Sequence, residues 1–219
     1  MKNKTTRFSV AGPDGSGKST ICETLSSFKK SSEVIHAVKD RNLHFISTKL
    51  GARILSYSQR KNYLLYTFVL YFVFYPLEFI ENLYRFSRNG KDFYIYDRHP
   101  IDRMALRYEL LLRFKKGRVN LFRFYYEYPL RVFWSELYRL FFRRIDKIYV
   151  LLPEAELSYE RASGQYKSMV DAVFKVDSYK LSAIRYMRYH RLTRIDIKKE
   201  DTVGVIVNKI LQDINNIDK

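Results

Sequence analysis

The sequence predicts an α/β protein: a parallel sheet with helices on both faces. Three observations carry this. Short β-type segments alternate with helical ones along the whole chain. The first of them, residues 7–11 (RFSVA), runs directly into a glycine-rich loop, GPDGSGKST at 12–20. The 219 residues are 47% apolar and 16% aromatic, enough to build a sizeable core and to exclude intrinsic disorder.

After the loop, Ile21, Cys22, Leu25 and Phe28 fall at helical spacing and predict a helix over about 18–29. A second strand fits 33–38 (EVIHAV), and helical patterns occupy about 43–57 and 61–87. Asn89-Gly90 marks a turn before a third strand at 93–96 (FYIY). Helical sequence rich in Arg and aromatics fills about 101–144. The fourth strand, 147–152 (KIYVLL), is stopped by Pro153. Helices near 154–163 and 168–190, a fifth strand at 192–197 and a last helix from about 201 complete the pattern. Without a repeat or a low-complexity linker, residues 1–219 read as a single domain with a helical elaboration at about 101–145.

The stretch 63–77, YLLYTFVLYFVFYPL, carries no charge over 15 residues. That is short of the roughly 20 apolar residues a bilayer span needs. It reads as a buried core helix, against an interfacial segment or a true span.

The chain carries 40 Lys and Arg against 23 Asp and Glu, a formal charge of +17 with a pI near 9.8. Nucleic acid, acidic lipid and phosphorylated small molecules all suit that balance as partners. One cysteine, Cys22, excludes a disulfide framework and every cysteine-based zinc site, and suits a reducing compartment. No apolar run precedes Gly12, so no signal peptide is expected and a cytoplasmic location is. His36, His44 and His190 lack metal-ligand spacing, and His99 reads as structural.

Chemistry enters with the loop. Gly12 to Ser19 satisfies G-x-x-x-x-G-K-[ST] in the right setting, after a strand and before a helix. Glycines let backbone N–H groups wrap phosphates at a helix N-terminus. The nucleotide-binding set is therefore Gly12, Pro13, Asp14, Gly15, Ser16, Gly17, Lys18, Ser19 and Thr20. Lys18 is expected to reach the β- and γ-phosphates of ATP, and Ser19 to offer its hydroxyl to Mg²⁺. No DxxG or NKxD element of a GTPase accompanies it.

A second site is Asp97-Arg98-His99-Pro100, at the C-terminal end of the third strand, where parallel sheets bind ligands. Asp97 suits Mg²⁺ or its water, and Arg98 suits an acceptor phosphate. A third patch, about 160–170, places Arg161 and Lys167 on either side of Gly164, as a mobile lid would.

These motifs together resemble the thymidylate kinase-like branch of the nucleoside monophosphate kinases. The resemblance runs through GPDGSGKST at 12–20, YDRH at 96–99 and LPEAELSYER at 152–161, and covers most of the chain in order. It implies a P-loop three-layer sandwich with a five-stranded parallel sheet of order 2-3-1-4-5. It also implies Asp14 near the acceptor's sugar, Arg98 on the acceptor phosphate and Asp97 assisting Mg²⁺. Arg161 and Lys167 would be the lid cations, and the 198–201 loop would lie near adenine. Two segments depart from the family. Its T-R-E-P-G after strand two is Val38-Lys39-Asp40-Arg41-Asn42 here, leaving Arg41 as the stand-in for acceptor binding. The stretch that helps read thymine is replaced by Pro100 to Arg107.

The implied activity is transfer of the ATP γ-phosphate to a nucleoside monophosphate-type acceptor. Its rivals are a kinase of a hydroxyl acceptor, nucleoside or sugar-like, and a non-catalytic ATP-binding protein; divergent thymidylate kinase-like proteins also occur among bacterial surface-polysaccharide genes. A hydroxyl acceptor gains from a carboxylate after strand two, where Asp40 lies. Residues 101–150 hold 12 Lys and Arg against 5 Asp and Glu, interleaved with aromatics. That suits a helical face covered by Arg stems, or peripheral association with anionic membrane; nucleic acid is disfavoured. A homodimer stays open.

Overall fold

The computed structural model describes residues 5–28, 31–36, 46–87, 90–97, 101–141, 145–162, 164–187 and 192–217. Its centre is a five-stranded sheet: β1 (Thr6–Ala11), β2 (Ser32–His36), β3 (Phe93–Asp97), β4 (Lys147–Pro153) and β5 (Leu192–Ile197). Every pairing is parallel and the order is β2-β3-β1-β4-β5, as the resemblance implies. Along β4 the side chains alternate between two cores, as the two-residue period of a strand dictates. Tyr149 and Leu151 pack with Phe8, Ile21, Leu25 and Ile210, beneath helices α1 (Lys18–Phe28) and α9 (Val203–Ile217). Ile148, Val150 and Leu152 face the other way, against Ile101, Met104, Tyr179 and Tyr186. Those residues come from α5 (Ile101–Lys115) and α8 (Met169–Met187). Being buried on both faces, β4 reads as a nearly continuous apolar run.

A third cluster beside the sheet is formed by α2 (Ile46–Gln59), α3 (Tyr63–Val69), α4 (Tyr75–Phe86) and α6 (Leu121–Phe141). The short α7 (Ala155–Arg161) instead sends Leu157 into the first core. A π-helical turn, Leu70–Phe74, joins α3 to α4 without a break, and the Tyr75 N–H reaches back five residues to the Leu70 carbonyl. Pro76 accounts for the wide turn. It has no N–H to give, and its ring crowds the carbonyl four residues earlier, so the helix opens before it.

The 63–86 helix and α6 run side by side in the same direction. Arg123 lies over the Tyr63 ring at 5.0 Å, Arg131 Nε donates to the Tyr71 hydroxyl at 3.0 Å, and Phe79 meets Tyr138 at 5.1 Å. Glu127 is buried between Arg123 and Arg131 and accepts from both.

The apolar 63–77 stretch is not wrapped on all sides. Thr67, Val69, Tyr71, Phe74 and Tyr75 are buried, but Phe68 and Phe72 are 51% and 53% exposed. The inward face of α4 is instead polar, with Glu78, Glu81, Asn82 and Arg85 all buried. Arg85 pairs with Glu81 at 2.6 Å and donates to the His36 carbonyl at 2.8 Å. Glu78 pairs with Arg103 of α5. Hydropathy along the chain cannot report this, because Glu78 and Arg85 find partners on α5 and β2, far along the chain. The continuous helix Tyr63–Arg85 is, among the described residues, the one long and apolar enough to cross a membrane by length and composition. The Arg85 bond to the His36 carbonyl ties it to the sheet, and the Glu78–Arg103 pair ties it to α5.

Candidate active site

The loop after β1 is held on two sides. Gly15 has φ +78°, and a Cβ there would meet the Ser158 carbonyl of α7 at 2.4 Å, so only glycine fits. From the same side the Ser158 hydroxyl donates to the Asp14 carbonyl at 2.7 Å, and the Tyr166 hydroxyl donates to it at 3.1 Å. Burial, partly offset by the bond to Ser158, pushes the Tyr166 hydroxyl up to about 12. It therefore stays a donor through the neutral range. The loop conformation is thus set from α7 and from Tyr166 in the region predicted as a lid.

At the start of α1, Lys18 is buried and its Nζ donates to the Pro13 carbonyl at 2.7 Å, curling back over the loop. Ser16 Oγ lies 3.4 Å from the same ammonium. Next to it, Ser19 Oγ donates to Asp97 Oδ2 at 2.9 Å. The strand order puts Asp97 there, since β3 lies beside β1 and the two strands end together, with Val10 opposite Asp97. On the far side of β3, His36 ends β2 opposite Asp97, and its Nδ1 is 3.0 Å from the same Oδ2.

Asp97 is 2% exposed, and its second oxygen, Oδ1, is buried without a hydrogen-bond partner among the described residues. A buried carboxylate oxygen beside a serine hydroxyl, both oxygen donors, fits a hard divalent cation or a water bound to one. Ser19 and Asp97 thus suit Mg²⁺, and the loop with Lys18 suits the phosphates of a nucleotide.

A cavity of about 380 Å³ adjoins the loop, with Asp14 in its wall. Six cations line it: Arg113, Arg118, Arg123, Arg131, Lys167 and Lys175. Asp14, Glu109 and Asp171 are its three acids. Glu109 is paired with Arg113 at 2.9 Å and Lys175 at 3.1 Å, and Asp171 with Arg113 at 2.7 Å. Burial alone would raise both carboxyls, but Lys175 and Arg113 outweigh it at Glu109, and Arg113 outweighs it at Asp171. Both are held below the ordinary carboxylate range. Arg118 and Lys167 make no ion pair among the described residues, which leaves positive charge available in the cavity wall.

Of the residues singled out from sequence, Lys18, Ser19 and Asp97 come together, and Asp14 and Lys167 share the cavity. Gly17 has φ +79° at the turn into α1, Pro13 is buried in the loop, and Thr20 is exposed on α1. Arg161 is exposed at the C-terminal end of α7 and outside the cavity lining. Arg41 and Arg98 lie outside the described residues, as do Asp40 and His99. Sequence reasoning missed His36, Ser158, Tyr166 and the cationic cavity wall. For His36 no local signal existed, because only the register of β2 on β3 brings it beside Asp97.

A strand, a phosphate loop on a helix N-terminus and a carboxylate at the switch point of a 2-3-1-4-5 sheet define a P-loop α/β fold. No protein-family model and no curated sequence matches the chain, and solved structures match by shape. It is similar to thymidylate kinase from Candida albicans, with a TM-score of 0.69 and 15% identity over 98% of this chain and 93% of that one. It is also similar to deoxyadenosine kinase from M. mycoides with bound dATP, with a TM-score of 0.61 and 14% identity over 96% of this chain and all of the other.

Proposed function

We propose that the chain is an ATP-dependent phosphotransferase whose acceptor already carries phosphate, of the nucleoside monophosphate type. The observation that carries the acceptor class is the cavity beside the phosphate loop, where six cations face three acids. An anionic acceptor is held by such a wall without help from a base. A hydroxyl acceptor instead wants a carboxylate free to take its proton. Glu109 and Asp171 are poor at that task, because their cations hold them ionised and weakly basic.

When bound, ATP supplies the phosphoryl group and Mg²⁺ offsets the charge of its phosphates. Ser19 and Asp97 would hold the metal, and His36 steadies the Asp97 oxygen that Ser19 also uses. Lys18 would exchange its bond to the Pro13 carbonyl for phosphate oxygens. Gly15, packed on α7, and the Ser158–Tyr166 pair on Asp14 keep the loop in one shape. Its N–H groups then need no reorganisation at the moment of transfer. Lys167 and Arg118 would draw the acceptor's phosphate toward the loop, and Arg98 and Arg41 are assigned to the same anion.

The similarity to deoxyadenosine kinase favours a second reading, a hydroxyl acceptor with Asp40 as base. One screen separates the two: ATP consumption over nucleoside monophosphates, nucleosides and phosphosugars, with Lys18→Ala, Arg98→Ala and Asp40→Asn beside wild type. Turnover of a monophosphate that Lys18→Ala and Arg98→Ala abolish and Asp40→Asn spares is expected. Turnover of nucleosides alone, with a thousandfold loss in Asp40→Asn, would overturn the acceptor class. Tight ATP binding with no acceptor consumed would overturn the enzyme reading altogether.

A further inference from the structure

We propose that the end of the molecule where α3 and α6 begin is a docking surface for an anionic lipid bilayer. Because the 63–86 helix and α6 run in the same direction with Arg123 over Tyr63, their first turns lie side by side. The α2–α3 connection and the α5–α6 connection close the same end.

The side chains there are of two kinds. Leu64, Phe68, Leu121, Phe122 and Tyr125 are exposed, the last two at 65% and 68%. Around them Arg60, Lys61, Lys115 and Lys116 are exposed as well. Acids are missing: residues 46–77 contain no Asp or Glu, and neither do residues 110–126. The flanking acids, Glu109 and Glu127, are already committed to Arg113, Lys175, Arg123 and Arg131. Apolar tips flanked by cations, with no acid in either segment, match the boundary between headgroups and acyl chains of an anionic leaflet.

Charge decides against the two rival occupants. A second copy docked through this patch by a two-fold axis would set its cations against themselves, with no acid in these segments to pair them. A nucleic acid would satisfy the cations but leave Leu64 and Leu121 with nothing to stack on, since single-strand binders present aromatic faces to bases. This surface uses no residue of the phosphate loop.

Full-length protein would be floated with vesicles of neutral phosphatidylcholine and with the same lipid carrying phosphatidylglycerol. Binding only to the anionic vesicles at about 0.1 M salt, largely lost at about 1 M, is expected. Each cation near such a surface is worth roughly fivefold in partition, so Lys115→Gln with Lys116→Gln should weaken binding by about 25-fold. Phe122→Ser with Tyr125→Ser should weaken it without changing the salt slope. Both pairs are on the surface, and an unchanged melting temperature and unchanged ATP binding would show that the fold and nucleotide site are intact. The proposal fails if neutral and anionic vesicles bind alike or neither binds. It fails equally if light scattering shows a dimer that the Phe122/Tyr125 variant dissociates, or if short RNA binds where vesicles do not.

Discussion

Replacing Arg103 with methionine should cost the fold far more than a surface charge would. The guanidinium is enclosed by the Glu78 carboxylate, the Tyr75 ring at 4.1 Å and the Tyr138 ring at 5.3 Å. Burial works against its charge, but Glu78, Tyr75 and Tyr138 more than offset that, so Arg103 remains a cation. Side-chain exposure is 16% for Arg103 and 7% for Glu78, so water screens the pair poorly. Removing one member strands a buried carboxylate, which costs about 3–5 kcal/mol. For a chain of this length each kcal/mol lowers the melting temperature by about 2–4 °C, so a loss of about 6–20 °C follows. The Arg103→Met, Glu78→Gln double variant removes both charges while roughly keeping the volume of each side chain. It should recover most of the loss, because the penalty comes from the stranded charge. Thermal and urea unfolding of the four proteins without nucleotide closes the cycle. A single-variant loss under about 1 kcal/mol, or losses that simply add in the double variant, would refute the argument.

Cys22, the one cysteine, is fully buried, and burial together with the charge of Asp97 pushes its thiol up. Ellman's reagent at pH 8 should leave the native protein unlabelled and label one thiol per chain after denaturation; rapid native labelling would contradict the packing. The same shift has a sign for stability. Above about pH 8.5 the unfolded thiol ionises while the folded one keeps its proton, so this group's contribution falls as pH rises, as unfolding from pH 8 to 10 would show. Gly15→Ala should abolish the ATP-induced thermal shift. A left-handed alanine costs about 1–2 kcal/mol, and its Cβ would sit 2.4 Å from the Ser158 carbonyl, forcing loop and α7 apart. A normal ATP shift in that variant would mean the loop tolerates the displacement.

The five strands and their order were legible because each signal is local or carried by a motif. The loop at 12–20, the apolar run of β4 and Asp97 at the end of β3 all announce themselves within a few residues. His36 did not, since its importance comes from lying opposite Asp97 across a strand pair, a relation that register creates. The cavity was hidden for the same reason, its wall being drawn from α5, α6, α8 and the segment after α7. Tyr166 sits one residue from Lys167, yet a tyrosine among charges gives no hint that its hydroxyl reaches back to Asp14. The 63–77 stretch misled in an instructive way. Hydropathy predicts burial on all sides, while its outward aromatics belong to a surface and its neighbour α4 carries ion pairs inward.

The π turn at Leu70–Phe74 sets an angular phase between the two halves of that helix. Exposed positions spaced by four, such as Leu64, Phe68 and Phe72, creep about 40° around an α-helix at each step. Continued unchecked through Ile80 and Tyr84, the creep would carry the apolar stripe halfway round the cylinder. One wide turn takes back roughly a residue's worth of rotation, about 100°. The outer stripe therefore stays on one side while Glu78 and Arg85 still point inward. Deleting a single residue at 70–74 would leave the composition almost unchanged and rotate α4 as a screw, swinging its carboxylates out of the core. The helix is two amphipathic pieces spliced out of phase, and the splice decides which charges the molecule keeps inside.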